Sequence, residues 1–234
     1  CMNAHWQNGH KEYHKEQKER ATERRSSQGL LEGDRSVADA QARQAEATGD
    51  EFDKRAAAAL ALMAFNAEGD HHAAAKAWRK IIKEWPDEPM PYHNLGIVLK
   101  RSTRFVEAAP LYLKAMELHE DGSKQWAGSA AVAFDLLKTE ECLDVPKPEW
   151  WNDEALKVLS ARLVALAPDD FYACNMRALV LVSGILCKAP WNVGPRTAAD
   201  IKEAASWNRR AARVARTPAN KRYHEQLAQK CDKY

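Results

Sequence analysis

The amino-acid sequence predicts an all-α protein built from stacked helical hairpins, and three observations lead to this fold class. Apolar residues recur at helical spacing from Asp53 almost to the end of the chain. No run of alternating β-branched residues indicates a strand. Residues 58–86 align without a gap on residues 92–120, a shift of 34 residues, and a fixed period of this length is typical of stacked units. We therefore expect an α-solenoid.

Two segments precede the predicted repeat domain. Residues 1–14 carry a motif that is described below. Residues 15–53 are rich in charged side chains, with Leu30 and Leu31 almost their only large aliphatic residues. Such a segment cannot bury much surface, so we expect a charged, solvated helix followed by a loose linker. The repeat domain is expected to cover residues 54–234.

The second repeat shows the pattern most clearly. Its characteristic positions are aromatic, aliphatic or small, and they are Tyr92, Leu95, Gly96, Leu99, Phe105, Ala108, Tyr112 and Ala115. This pattern resembles the tetratricopeptide repeat, which implies a right-handed α-solenoid whose concave surface is lined by the first helix of each hairpin. Two antiparallel helices approach closely only where a small residue faces a large one. Gly96 and Ala108 would provide such contacts.

A third hairpin is expected to be stretched by a long loop. Its first helix covers residues 125–137, and its partner starts only at Asn152, a good helix-capping residue. The loop between them contains Trp150 and Trp151. Tryptophan supplies a large buried area, so we expect these side chains to hold the loop against the solenoid, with a recognition edge as the alternative.

The fourth hairpin has the same stretched form. Its first helix is expected to cover residues 171–187, and the following loop contains Trp191. Thr197 and Asp200 resemble a capping box that starts the partner helix, which runs to about Arg216. A last short helix of mostly polar residues caps the stack. The prediction is therefore about four hairpins and a capping helix.

The first fourteen residues resemble the end of a MYND-type zinc finger. Cys1, Trp6 and His10 match the pattern of that family, and His14 stands where its final cysteine belongs. The resemblance implies that Cys1 binds one zinc ion and that His10 and His14 bind another, since His can replace Cys as a ligand. The remaining ligands would lie upstream of Cys1, and we expect the chain to begin inside a longer protein. Zinc is therefore expected only if that upstream part is present, and no cofactor otherwise; the alternative is a charged amphipathic helix.

The sequence contains no known catalytic signature. Phosphate-binding glycine loops, paired zinc-protease histidines and nucleophile elbows are all absent from it. Some MYND fingers occur in lysine methyltransferases, but those enzymes need a strand-rich core that this sequence does not predict. We therefore predict a non-catalytic scaffold that binds a protein or peptide segment, with no small-molecule substrate.

The tetratricopeptide resemblance implies that partner-binding residues lie on the first helices. These candidates are Met63, His93, Ile97, Lys100, Lys124, Phe134, Tyr172, Asn175 and Leu179. The strip is mostly apolar, which suits an amphipathic helix or an extended segment with apolar anchors. Repeats that grip chaperone carboxylates use a charged clamp, of which only Asn94 and Lys124 match. The alternative that Met63, Ile97 and Leu179 are core residues stays open, since a one-residue error moves a side chain by about 100° around the helix.

The end of the chain is locally basic and gives the alternative function. Its basic residues are Arg196, Lys202, Arg209, Arg210, Arg213, Arg216, Lys221, Arg222, Lys230 and Lys233. With the finger, they could serve a nucleic-acid-associated or transcriptional regulator. A solvated outer face is the commoner explanation, and the formal charge of +2 gives no general attraction to nucleic acid. Nucleic acid is therefore an unlikely partner.

Cysteine usage and hydropathy indicate the compartment. The five cysteines are scattered and include no Cys-x-x-Cys pair, which suits a reducing interior. The longest apolar run, Ala178 to Cys187, is about half a membrane span and is expected to be a buried helix. We predict an intracellular protein, cytoplasmic or nuclear, without membrane contact.

Overall fold

The computed structural model describes residues 36, 38–40, 42–64 and 71–234. Residues 42–48 are helical. The helices that follow are α1 (Glu51–Ala64), α2 (His71–Glu84), α3 (Pro89–Arg101), α4 (Phe105–Leu118), α5 (Lys124–Leu137), α6 (Asp153–Leu166), α7 (Phe171–Val182), α8 (Ala198–Val214) and α9 (Pro218–Cys231). A single 3₁₀ turn, Glu140–Cys142, follows α5 within the described residues. None of the described helices is long and apolar enough to span a membrane.

The helices pack in the order in which they occur along the chain. Each of α1 to α9 contacts its neighbours in sequence, and α5 also contacts α7 directly. The pairs α1/α2, α3/α4, α5/α6 and α7/α8 form four hairpins, and α9 lies against α8. The predicted all-α solenoid of four hairpins and a capping helix is thereby confirmed.

The first two hairpins pack as their repeat pattern predicts. Trp78 on α2 and Tyr112 on α4 occupy equivalent positions one repeat apart, and they are 0% and 1% exposed. A Cβ atom at Gly96 would lie 2.8 Å from the Tyr112 ring, a distance that real Cβ contacts do not tolerate. Glycine at this position therefore lets α3 approach α4 closely enough to bury the ring.

Side-chain caps fix the starts of the later helices. The Asn152 side chain accepts a hydrogen bond from the Ala155 amide, at 3.0 Å, where α6 begins. At the start of α8, Thr197 and Asp200 form the full capping box, with both reciprocal hydrogen bonds present. Because these bonds satisfy amides that the helix itself leaves unpaired, both predicted helix starts are confirmed.

Helix α7 is shorter than predicted, because it ends at Val182 rather than at Cys187. The Ser183 hydroxyl donates to the Leu179 carbonyl at 2.7 Å, and Gly184 follows with a positive φ of 84°. Glycine adopts this left-handed conformation without a steric penalty, which turns the chain out of the helix. The apolar run that predicted a long helix is therefore a helix followed by a tight turn.

The tryptophans of the two long loops meet on α5. The rings of Trp151 and Trp191 lie 5.6 Å and 5.7 Å from the Phe134 ring and 5.6 Å from each other. Trp150 extends the cluster, at 5.9 Å from Trp151. The expectation that these side chains hold the loops against the solenoid is confirmed, since aromatic contacts of this size bury a large area.

Candidate partner-binding site

Side chains from three successive first helices meet on one surface of the solenoid. We call this surface the first-helix face, and its residues are His93, Ile97 and Lys100 of α3, Asp135 and Lys138 beside the end of α5, and Tyr172 and Asn175 of α7. Asn175 is 5% exposed and therefore supports this face from within. Helix α5 contacts α7 along this surface. Side chains of α3 reach both of the other helices.

Asp135 lies at the centre of the first-helix face. Its carboxylate accepts a hydrogen bond from the Asn175 side-chain amide at 3.1 Å and pairs with Lys138 at 3.2 Å and with Lys100 at 3.8 Å. Its side chain is 21% exposed. The sequence predicted Lys100 and Asn175 as partner-binding residues but missed Asp135. The available signal was that Asp135 is the one acidic residue of α5.

Lys100 and Tyr172 connect α3 to α7 above α5. The Lys100 ammonium donates to the Tyr172 hydroxyl oxygen at 2.6 Å and lies 4.0 Å from the centre of its ring. An ammonium group so close to an aromatic ring is attracted by the electron-rich face. Lys100 is 23% exposed, so the pair is open to solvent while it joins two hairpins.

The charges on this surface leave an excess of hydrogen-bond donors. Two ammonium groups, Lys100 and Lys138, flank the single carboxylate of Asp135. Tyr172 accepts from Lys100, and its own O–H can donate. Such a set of donors suits a ligand that brings acceptor groups, such as main-chain carbonyl oxygens.

His93 belongs to the floor of the site. Its Nδ1 lies 2.9 Å from the Ser129 hydroxyl of α5, and its ring meets the Tyr112 ring edge-on at 5.1 Å. Burial, assisted by His119 and Lys100, lowers the pKa of His93 to about 4. The imidazole is therefore neutral at physiological pH, and it links α3 to α4 and α5 as a packing residue.

The apolar candidates near the start of the solenoid are half-buried. Ile97 packs against the core of the first two hairpins and keeps part of its surface exposed. The Met63 sulfur accepts a hydrogen bond from the Trp78 indole at 3.1 Å. Met63 thus serves the packing of α1 on α2, while its remaining surface is open.

Two other candidates lie beneath the surface. Phe134 is 0% exposed under Trp151 and Trp191, and Leu179 is buried in the same apolar cluster. The repeat register made Phe134 equivalent to Lys100, but the loops that follow α5 and α7 cover it. Both residues support the first-helix face from below rather than form its surface.

Lys124 lies at the opposite end of α5 from the Asp135 cluster. It is exposed and borders an open cavity of about 430 Å³ between α5 and residues 166–170. Asp135 lies eleven positions further along the helix, which corresponds to about 16 Å along the axis. The structure therefore does not bring Lys124 together with the other candidates.

The predicted zinc ligands Cys1, His10 and His14 lie outside the described residues, so the zinc site stays a prediction. Among the residues that the structure describes, no three His, Cys, Asp or Glu side chains are grouped as a metal ion would require. His71 and His72 lie in the first turn of α2.

Several residues of the basic C-terminal region are engaged within the protein. The Arg196 side chain is 1% exposed and forms two hydrogen bonds to Asp153, at 2.6 Å and 2.9 Å. Arg210 pairs with Asp169 at 2.8 Å. Arg196 holds the loop before α8 against α6, and Asp169 offsets the charge of Arg210. The charge that the region presents to a nucleic acid is therefore smaller than its composition suggests.

No family model matches the sequence, and no curated protein matches it with statistical significance. Among solved structures, one titled "MamA RS-1 ArsTM double mutant" is similar over 92% of this chain and 95% of its own, with 13% sequence identity and a TM-score of 0.38. A likeness at that score carries no argument about fold or function. Both therefore rest on the residues and contacts described above.

Proposed function

We propose that this protein is a non-catalytic scaffold that binds a segment of another protein across the first-helix face. The observation that carries the proposal is the polar cluster of Lys100, Asp135, Asn175 and Tyr172, which joins three hairpins at one surface. Lys and Asp side chains are almost never fully buried in a protein unless they are paired. Here Lys100 and Asp135 are held in place yet remain 23% and 21% exposed.

The surroundings of the cluster favour a peptide segment as ligand. Ile97 offers an apolar surface beside it, and the ammonium groups and the Tyr172 hydroxyl offer donors. An extended or helical segment can meet both features, because it carries apolar side chains for Ile97 and main-chain carbonyl groups for the donors. Solenoids provide extended surfaces of this kind, since each repeat contributes equivalent helices.

The shifted pKa values also favour a binding role over catalysis. Burial accounts first for the lowered pKa of His93 and His224, and the hydrogen bond from Arg196 accounts first for that of Asp153. Each of these groups is held by packing or by an ion pair. Catalytic groups are instead expected to combine a shifted pKa with a cleft that admits substrate.

A peptide library displayed on phage tests the proposal. Peptides selected on the wild-type protein are synthesised with a fluorophore, and their affinities are measured by fluorescence anisotropy. The double variant Lys100→Ala/Tyr172→Phe is expected to weaken binding at least about tenfold, since it removes one charged and one neutral hydrogen-bond donor. Lys80→Ala, an exposed lysine on α2, is the matched control and should bind as wild type.

Two results would contradict the proposal. The first is a set of selected peptides that bind the double variant as tightly as the wild-type protein. The second is equal weakening by the double variant and by Lys80→Ala, because this would indicate general charge attraction instead of a defined site. Circular dichroism of each variant confirms that the helices are retained.

A further inference from the structure

Gly128 is a glycine for which the protein's own packing gives no reason. Each other glycine in the described part of the chain has a structural reason. Gly49, Gly122 and Gly184 adopt a positive φ. At Gly96 and Gly194 there is no free space for a Cβ atom. Gly128 lies inside α5 with helical backbone. Nothing lies within 4 Å of the position that its Cβ atom would take.

A glycine inside a helix is unfavourable. It loses more conformational freedom on folding than alanine and exposes the backbone to water. At Gly96 this cost is offset by the close contact with Tyr112. At Gly128 no such contact exists among the described residues. The cost of this glycine is therefore not offset by packing, and its effect is to leave open space above the backbone.

The space belongs to the cavity beside Lys124. Gly128 and Lys124 form its α5 side, and residues 166–170, from the last residue of α6 through the turn before α7, form the other. Leu166, Ala167 and Pro168 make much of this second wall apolar. A volume of about 430 Å³ lies within the range of roughly 300–1,000 Å³ that is typical of ligand pockets.

The charges around the cavity balance. The charged lining residues are Lys124, Asp169 and Asp170, and Arg210, which lies outside the lining, offsets the charge of Asp169. Arg210 pairs with Asp169, and Asp170 accepts a hydrogen bond from the Ala173 amide at the start of α7. Because no net charge remains to attract an ion, an uncharged and apolar occupant fits the cavity best.

We propose that this cavity receives one apolar side chain, of leucine, methionine or phenylalanine size, from the segment that binds the first-helix face. The inference rests on the proposed function, because the cavity and Asp135 lie at the two ends of α5. Their separation of about 16 Å along the helix is spanned by about five residues of extended chain. The partner therefore carries its apolar anchor about five residues from the part that contacts Lys100.

The first test uses single amino-acid probes. N-acetyl-leucine methylamide and N-acetyl-phenylalanine methylamide are titrated into the ¹⁵N-labelled full chain, with N-acetyl-glycine methylamide as the probe that lacks a side chain. The leucine and phenylalanine probes are expected to shift the amide signals of Gly128 and Ala167, and the glycine probe is expected to shift neither. Absence of these shifts, or equal shifts with the glycine probe, overturns the inference.

The second test fills the cavity. Gly128→Leu places a side chain in the open space and is expected to abolish the Ala167 shift and to weaken the selected peptides at least about tenfold. It should retain or raise the melting temperature, because α5 loses a glycine. Gly128→Ala fills the cavity in part and gives an intermediate loss. Ser206→Leu, at an exposed site on α8, is the matched control and should bind as wild type.

The two tests separate this inference from the proposed function. Peptides that are weakened by Lys100→Ala/Tyr172→Phe but bind Gly128→Leu normally overturn the cavity inference and leave the proposed function standing. Peptides that bind the double variant as tightly as the wild-type protein overturn the proposed function and the inference with it, and probe shifts at Ala167 that are lost in Gly128→Leu then show only that the cavity accepts an apolar side chain. Decanoate is titrated in the same way as a free hydrophobic molecule. If decanoate binds more tightly than both apolar probes, the cavity is assigned to such a molecule and the inference is overturned.

Discussion

Arg196→Met removes the guanidinium that ties the last long loop to two helices. Arg196 precedes α8, and its side chain forms two hydrogen bonds to Asp153 at the start of α6, at 2.6 Å and 2.9 Å. It also donates to the Val180 carbonyl near the end of α7, at 2.8 Å and 3.1 Å. With 1% of its side chain exposed, these bonds are shielded from solvent.

The expected cost follows from what remains after the substitution. Removal of one partner from a buried ion pair costs about 3–5 kcal/mol, because the other charge stays buried. Lys157 lies 3.3 Å from the same Asp153 carboxylate, so the lower end of that range, about 3 kcal/mol, is expected. For a chain of this size the melting temperature should fall by roughly 6–12 °C.

Urea unfolding followed by far-ultraviolet circular dichroism measures this loss at pH 7. Arg209→Met is the matched control, because Arg209 forms an exposed pair with Asp232 and should cost less than about 1 kcal/mol. The double variant Arg196→Met/Asp153→Leu should regain part of the loss, since no charge is left buried. A cost for Arg196→Met no larger than that of Arg209→Met would refute the reasoning.

Three further predictions follow from single residues. Gly96→Ala should lower the free energy of unfolding by about 1–2 kcal/mol, because overpacking exceeds the gain in helix propensity. Gly128→Ala should raise it by up to about 1 kcal/mol. Thermal unfolding of the two variants must therefore shift the melting temperature in opposite directions. Burial lowers the pKa of His93 and of His224 to about 4 in the folded protein. Both imidazoles bind protons more readily in the unfolded chain, so the free energy of unfolding should fall as the pH drops from about 6.5 to about 4. Urea midpoints at pH 7, 5.5 and 4 check this, and His224→Gln should reduce the slope. Asn152→Ala should cost about 1 kcal/mol through loss of the α6 cap, and an unchanged urea midpoint would contradict that role.

Much of the fold could be predicted because the patterns that determine it are local. The 34-residue shift places Trp78 and Tyr112 at equivalent buried positions, and Asn152 and Thr197 cap their helices through bonds to residues three positions ahead. Helix length was less predictable. An apolar run alone does not show that Gly184 adopts a positive φ, so α7 was expected to be longer than it is.

The candidate site could be predicted in part. The repeat register identified Lys100, Tyr172 and Asn175 as partner-binding residues of the first helices, and the structure brings them together, although it buries Asn175. It could not identify Asp135, which joins them, because the register assigned the neighbouring Phe134 to the surface. The two side chains of adjacent helical residues point about 100° apart, and only the covering loops decide which of them faces solvent.

The sequence by itself determined the helical period, the number of hairpins and the caps, since each depends on residues within one or two helical turns or on a regular repeat. The tertiary structure decided what the irregular parts do. The loop tryptophans bury Phe134. The Arg196 side chain is buried against Asp153 instead of contributing to a basic surface, and an open cavity lies above Gly128. These outcomes depend on contacts between residues far apart in the chain, and no local pattern encodes the position at which two such segments meet.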